Sequence, residues 1–209
     1  MNMQKQKQSE NAVSPVVGVM LMLVVTIIIA AVVSAFAGGL AGTQQSAPKA
    51  SIDVQIKIDA DDTMSGTNDV MTFTELSGDS IQTKDLAVIT YYVNKSGTVY
   101  KNKQTLTSAG TQLYSYSTKL SRVPYLSDMR LGYASGNTVT DFGNYTWKTG
   151  DILSTGTTAG TADLLAINDT ATPHGITDLA DFESGSVVDV KILHVPSGQY
   201  IFNKEVIVQ

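Results

Sequence analysis

The chain has no cysteine and only two histidines among its 209 residues. Without cysteine there is no disulfide framework, no thiol nucleophile and no thiolate metal site. The histidines, His174 and His194, form no His-x-x-x-His motif, and the sequence has neither a nucleophile elbow nor a phosphate-binding glycine loop. An enzyme is therefore the least favoured class, and we expect no catalytic residue and no cofactor.

Basic residues are also scarce, since 14 lysines and arginines stand against 19 acidic residues and the net charge is −5. A protein that binds the phosphate backbone of a nucleic acid needs a basic surface, so no nucleic-acid partner is expected. The excess of acidic residues favours a solvated exterior whose copies repel one another, so that association requires specific contacts.

Charge is missing altogether from residues 11–48, and the stretch from Val13 to Ala37 is almost wholly apolar. As a helix, residues 13–42 would extend about 45 Å, which is more than the ~30 Å hydrocarbon core of a bilayer. Lys5 and Lys7 precede this segment and the sequence after it is acidic. The positive-inside rule therefore places the N-terminus in the cytoplasm and the large domain outside.

Two other interpretations of the apolar segment stay open. An ordinary secretory signal would be cut near Ala35-Phe36-Ala37, which is similar to a small-x-small site, although the segment exceeds the usual core of about 7–15 residues. An uncut anchor would hold a surface receptor or ligand-binding domain at the membrane, with its leader retained.

Small residues recur every four positions along the predicted helix. One face of the helix therefore carries only small side chains. Such a face lets helices approach closely. The residues of this small-residue face are Thr26, Ala30, Ser34, Gly38 and Gly42.

Pro15 suits the start of a helix. A proline in a helix interior costs about 3 kcal/mol, but in the first turn its missing N–H costs little. If Val13 were the first residue of the chain, Pro15 would lie in that first turn. The sequence therefore predicts that a leader, residues 1–12, is removed by a cut between Ala12 and Val13.

Residues 12–22, AVSPVVGVMLM, continuing to Phe36 and Gly38-Gly39, resemble the N-terminal segment of archaeal type IV pilins. The resemblance implies that a prepilin peptidase cuts between Ala12 and Val13 and that the helices then form the core of a filament. It also implies an assembly ATPase and a membrane platform protein as partners. Bacterial type IV pilins have a glutamate at the position of Val17, which favours the archaeal branch, while archaellins of motility filaments share the architecture.

From Ala50 onward the hydrophobic period is two, with Ile52, Val54, Ile56 and Ile58 alternating with polar residues. The run Leu86–Val93 is apolar on both faces and predicts a central strand. Residues 43–49 are the expected hinge. The fold class predicted for residues 50–209 is all-β, an Ig-like sandwich or small barrel. Further strands are predicted at Val187–Val195 and Gln199–Val208, a hairpin similar to the closing hairpin of the pilin domains, and at Val70–Leu76, Thr98–Lys101, Gln112–Tyr116, Met129–Tyr133 and Asn144–Trp147.

Three sequons, at Asn94, Asn144 and Asn168, are candidates for N-glycosylation if the domain is extracellular. An acidic group, Asp59, Asp61, Asp62, Asn68 and Asp69, suggests calcium because hard cations prefer oxygen ligands. Its spacing does not match an EF-hand, since Met64 stands where the loop needs glycine. A solvated acidic loop is the favoured interpretation, and we expect no metal.

Together these features predict a structural subunit of an archaeal type IV pilus. The precursor would lie in the cell membrane, and the cut subunit would polymerise through residues 13–42 into a homopolymeric surface filament for adhesion. The alternatives are an extracellular binding domain, anchored or secreted, that does not polymerise, and an archaellin-like motility subunit.

Overall fold

The computed structural model describes residues 15–41, 45–62, 66–114, 116–167 and 181–209. The chain divides into two compact units, Met1–Gln44 and Gln45–Gln209. The first contains one long helix, and the second is rich in strands that form antiparallel sheets. This confirms the predicted fold class of an apolar N-terminal helix followed by a β-rich domain.

Helix α1 extends from Pro15 to Ala41 and has no charged residue in its 27 positions. By length and composition its stretch Pro15–Ala37, with a mean hydropathy of 3.2, is able to cross a membrane, and none of the apolar window is buried within the described structure. The predicted helix ends, Val13 and Gly42, lie outside the described residues.

The described strands of the second unit form two four-stranded sheets and one pair. Their bounds are β1 Ala50–Asp62, β2 Gly66–Gly78, β3 Ile81–Gln82, β4 Leu86–Val93, β5 Val99–Gln104, β6 Tyr125–Leu126, β7 Thr146–Trp147, β8 Ile152–Ser154, β9 Val187–His194 and β10 Gln199–Ile207. The sheet orders are β1-β2-β8-β6 and β10-β9-β4-β5, and β3 pairs with β7. Strand β4 lies between β9 and β5, as its apolar run predicted.

The two larger sheets contribute to one hydrophobic core. Alternate residues of β1, Ile52, Val54 and Ile56, are buried in it, which confirms the predicted period of two. The predicted hairpin is also confirmed, since β9 and β10 pair on either side of Pro196-Ser197-Gly198. At one edge a parallel bridge between Ile56 and Val208 joins β1 to the end of the chain.

Helix α2, Thr158–Leu165, is an element that the all-β expectation did not include. Thr157 caps its N-terminus by accepting a hydrogen bond from the Gly160 N–H at 3.2 Å. At the other end the Leu164 carbonyl accepts a bond from the Thr90 hydroxyl of β4 at 2.6 Å. Because the cap is local but the bond from Thr90 comes from a tertiary neighbour, an eight-residue segment stays helical although it is too short to be stable alone.

Buried threonines join α2 to β2 as well. The Thr161 hydroxyl donates to the Asp69 carbonyl at 2.7 Å and lies 2.7 Å from the Thr155 hydroxyl. Thr155 in turn accepts the Met71 N–H at 2.9 Å. Helix α2 is therefore hydrogen-bonded to strands of both larger sheets.

The shorter strand predictions are partly wrong. Val70–Leu76 lies within β2 and Thr98–Lys101 overlaps β5, but Asn144–Trp147 contributes only β7. Near Gln112–Tyr116 the described residues form only an isolated bridge between Thr111 and Ser121. Met129–Tyr133 begins as a 3-10 turn at Met129–Leu131, because the Asp128 carboxylate caps the Arg130 N–H.

Glu75 is a carboxylic acid on the core side of β2. Its exposed fraction is 0%, and neither side-chain oxygen makes a hydrogen bond of ordinary geometry. Burial raises the pKa of Glu75 above its ordinary value of 4.5, and the charge of Asp151 raises it further, while the Thr149 hydroxyl opposes the change. An ionised Glu75 is therefore costly in the folded state.

We expect Glu75→Gln to stabilise the domain at neutral pH. The folded state binds this proton more tightly than the unfolded chain does, so stability falls as pH rises from about 4.5 through the raised pKa. The variant keeps a buried polar side chain of the same shape but removes the charge, so it removes only the cost of ionisation, about 1.4 kcal/mol for each unit by which the folded state raises the pKa. Urea unfolding, followed by the fluorescence of buried Trp147, measures the difference.

The control is Glu205→Gln on the exposed face of β10, where no pH-dependent gain is expected. The gain in stability from Glu75→Gln should be large at about pH 8. It should be absent at about pH 3, where Glu75 is protonated and therefore as neutral as the glutamine that replaces it. A gain of equal size at both pH values would show that ionisation is not its cause.

Candidate functional site

The surface of α1 is apolar on every side. Fifteen large apolar side chains between Val16 and Phe36 are exposed, from 44% at Val25 to 74% at Met22. A helix that is apolar all round belongs in lipid or against other apolar helices. This surface is therefore the first candidate functional site.

The described part of the small-residue face lies on α1. Thr26, Ala30, Ser34 and Gly38 all fall within its helical bounds, and each step of four residues turns about 40° around the axis. The Thr26 hydroxyl donates to the Leu23 carbonyl at 2.9 Å, so this polar group is satisfied within its own helix. Gly42 and the predicted cut site, Ala12 and Val13, lie outside the described residues.

Two of the three sequons lie in described turns. Asn94 follows β4, and its side-chain oxygen accepts the Thr98 N–H at 2.7 Å in the turn to β5. Asn144 is exposed, and its amide donates to the Thr138 carbonyl at 2.7 Å. Asn168 lies outside the described residues. The two described sequons are therefore in surface turns, the type of position that carries glycans.

Of the acidic group, the side chains of Asp59, Asn68 and Asp69 are described and those of Asp61 and Asp62 lie outside the described residues. The Asp69 carboxylate accepts the Asp59 N–H at 3.2 Å, and the Asn68 side chain accepts the Thr158 N–H of α2 at 3.3 Å. Among the described residues, no three His, Asp or Glu side chains are grouped so that they could hold a metal ion.

His194 is the last residue of β9, next to the turn that leads to β10. Its Nδ1 atom lies 2.9 Å from the Ser197 hydroxyl, and that hydroxyl also accepts the Gln199 N–H at 3.3 Å. Both side chains are buried. The pair therefore stabilises the hairpin turn and does not present an exposed nucleophile. His174 lies outside the described residues.

Sequence reasoning missed a pocket of about 250 Å³ in the loop region between β5 and α2. We call it the tyrosine pocket, since three tyrosine rings line it. Its polar lining includes a carboxylate and two hydroxyl groups. The residues that define it are Tyr114, Tyr125, Tyr133, Ser127, Asp128 and Ser154. Spacing along the chain did not indicate it, because the loops bring these residues together.

Comparison with known proteins addresses the N-terminal segment. Residues 11–52, about a fifth of the chain, match the model of the family described as archaeal type IV pilin, N-terminal. The match confirms the resemblance found in the sequence, supports a pilin-like subunit and points to a structural subunit instead of an enzyme. It is consistent with a membrane-held precursor.

An uncharacterized protein of Archaeoglobus fulgidus is 31% identical over 87 residues, which are 42% of this chain and 57% of that relative. The chain thus spans less than two thirds of the length of this relative. No solved structure matches.

Proposed function

We propose, from the match of residues 11–52 to archaeal type IV pilins, that this protein polymerises through its N-terminal helix into an adhesive surface filament. The observation that carries the proposal is α1 itself. Its 27 helical residues extend about 40 Å, roughly 10 Å more than a hydrocarbon core, and its apolar surface has no cover within the described structure. Other copies of the helix can supply that cover.

Assembly exchanges one apolar environment for another. In the membrane the side chains of α1 contact lipid, and in a filament they contact the same side chains of neighbouring subunits. Because lipid is as apolar as leucine, the gain must come from close contact between helices. The small-residue face, at Ala30 and Ser34 in particular, permits that contact where bulky residues would hold the backbones apart.

Processing precedes assembly in this proposal. A prepilin peptidase removes residues 1–12, so that Val13 becomes the N-terminus and Pro15 lies in the first turn of the helix. An assembly ATPase and a membrane platform protein then extract the subunit. The hinge is residues 43–49, and the β domain, residues 50–209, lies outside the cell. N-glycans on Asn94, Asn144 and Asn168 would add to its hydrophilic surface.

The N-terminal peptide of the native protein tests this proposal. We expect a chain that begins at Val13 and is abundant in filaments sheared from cells, as measured by mass spectrometry of sheared and membrane fractions. The same digests show whether the three sequon peptides have glycan masses. A chain beginning near Gly38 would identify a secreted domain, and an intact leader would identify an anchored receptor, so either result contradicts the proposal.

A further inference from the structure

The described loop residues around the tyrosine pocket are held by hydrogen bonds although they contain little regular structure. Between β5 and β7 the described regular elements are β6 and one 3-10 turn. Ser121, whose exposed fraction is 0%, donates to the Ala134 carbonyl at 2.6 Å and accepts the Gly136 N–H at 2.9 Å. Long ordered loops of this kind are commonly binding loops.

These fixed loops present large apolar groups to solvent. Met129 is 74% exposed and Tyr133 is 60% exposed, and both line the pocket. An exposed apolar group on an ordered loop has an unfavourable contact with water that a ligand can remove. The pocket wall therefore has the properties of a contact surface.

The wall combines ring faces with hydrogen-bonding groups. Tyrosine provides a broad apolar face together with a polar tip. The Asp128 carboxylate is fixed by the Arg130 guanidinium, with bonds of 2.8 and 3.0 Å, and these bonds hold the pKa of Asp128 below its ordinary value. An ionised carboxylate accepts hydrogen bonds only, so it favours a ligand rich in hydroxyl donors.

Charge excludes one class of ligand. Neither lysine, arginine nor histidine is among the residues that line the pocket, and Asp128 is the charged group there. Arg130 is not among the lining residues and is already paired with Asp128, so the pocket lining offers an acidic polymer no unpaired cation. The lining suits an uncharged ligand that has both an apolar face and several hydroxyl groups.

We propose that the tyrosine pocket binds one ring of a neutral saccharide. The apolar face of the sugar contacts the tyrosine rings, and its hydroxyl groups donate to Asp128 and exchange hydrogen bonds with Ser127 and Ser154. Ligand pockets of this kind are mostly apolar with a few placed polar groups. This inference deepens the adhesive role proposed above and rests on it for the exposure of the domain outside the cell.

The test uses the full processed chain in detergent micelles and saturation-transfer NMR with mannohexaose, laminarihexaose and cellohexaose. We expect one or more of these neutral probes to bind, and polygalacturonate to bind at least tenfold more weakly. Tyr133→Ala should weaken binding at least tenfold, whereas Tyr133→Phe keeps the ring and should stay within threefold of the original affinity.

Tyr91→Ala is the matched control, because Tyr91 is an exposed tyrosine of β4 that does not line the pocket. It should leave the affinity unchanged, and Met129→Ala provides a second pocket variant if Tyr133→Ala does not fold. The proposal is overturned if no neutral probe binds, if polygalacturonate binds best, or if the pocket variants bind as well as the original chain.

Electron microscopy of the same variants separates this inference from the proposed filament. Tyr133→Ala should form normal filaments, because the pocket is outside α1. Filaments without saccharide binding would contradict only the pocket assignment. Saccharide binding by a chain that forms no filaments would contradict only the assembly proposal.

Discussion

Replacing Ser34 by leucine is expected to abolish filaments while the precursor stays in the membrane. Leucine adds bulk at the middle of the small-residue face, where neighbouring helices would approach most closely. Overpacking of this kind costs typically about 1–3 kcal/mol per site. Since each 1.4 kcal/mol is a factor of ten in an equilibrium constant, the affinity between subunits should fall roughly 5- to 140-fold.

Ala30→Leu should have the same effect, because Ala30 lies one turn before Ser34 and about 40° around the helix. Val32→Leu is the control. It lies about 160° from Ser34, on the opposite side, and adds one methylene to a face that is already bulky. Filaments of normal number and length are expected from this control.

Two measurements separate assembly from insertion. Electron microscopy of sheared material counts filaments, and immunoblots of membrane fractions measure the precursor, which leucine should not displace because it raises the apolar character of the helix. If Ser34→Leu and Ala30→Leu both assembled normally, close contact along the small-residue face would not be the basis of assembly.

The elements predicted best from the sequence were those with a hydrophobic pattern that continues over many consecutive residues. Helix α1 was evident because apolar residues continue without a charge from Pro15 to Ala41. Strand β1 was evident because it has a clear period of two, and the hairpin of β9 and β10 because two strand-like segments flank the turn Pro196-Ser197-Gly198. In these segments the composition of the segment itself determines the conformation.

Sequence failed where tertiary contacts determine the conformation. Met129, Leu131 and Tyr133 alternate like a strand, but all three side chains are exposed, so burial is not the reason for their spacing. The tyrosine pocket joins Tyr114 and Tyr133 of two loops with Tyr125 of β6. No short-range sequence pattern predicts that these three side chains lie together, because their positions depend on how the core places each segment.

Helix α2 was missed for the same reason, and it leads to a second strong prediction. Gly160→Ala should destabilise the domain by about 2 kcal/mol or more, although alanine is the better helix former by roughly 1 kcal/mol. A Cβ atom at Gly160 would overlap the Thr155 carbonyl oxygen and lie 3.1 Å from a methyl of Leu113. The backbone of Thr155 is held by its neighbours and cannot withdraw without loss.

The surroundings of Gly160 explain why the steric effect exceeds the helix propensity. Thr155 bonds Met71 of β2 and contacts Thr161, so moving it disturbs the hydrogen bonds that join α2 to the sheet. Each such buried bond, once lost, leaves a polar group without a partner at about 1–3 kcal/mol. The free energy lost if the Thr155 backbone moves away is therefore comparable to the free energy cost of the overlap itself.

Urea unfolding of the full chain in detergent measures the effect. Trp147, the one tryptophan of the chain, is buried in the β domain and α1 has none, so its fluorescence reports unfolding of that domain alone. Ala159→Gly in the same helix is the control, with an expected loss of no more than about 1 kcal/mol from propensity. If Gly160→Ala were as stable as the original chain, the close approach of α2 to Thr155 would not be a constraint, and intrinsic helix propensity would govern this position.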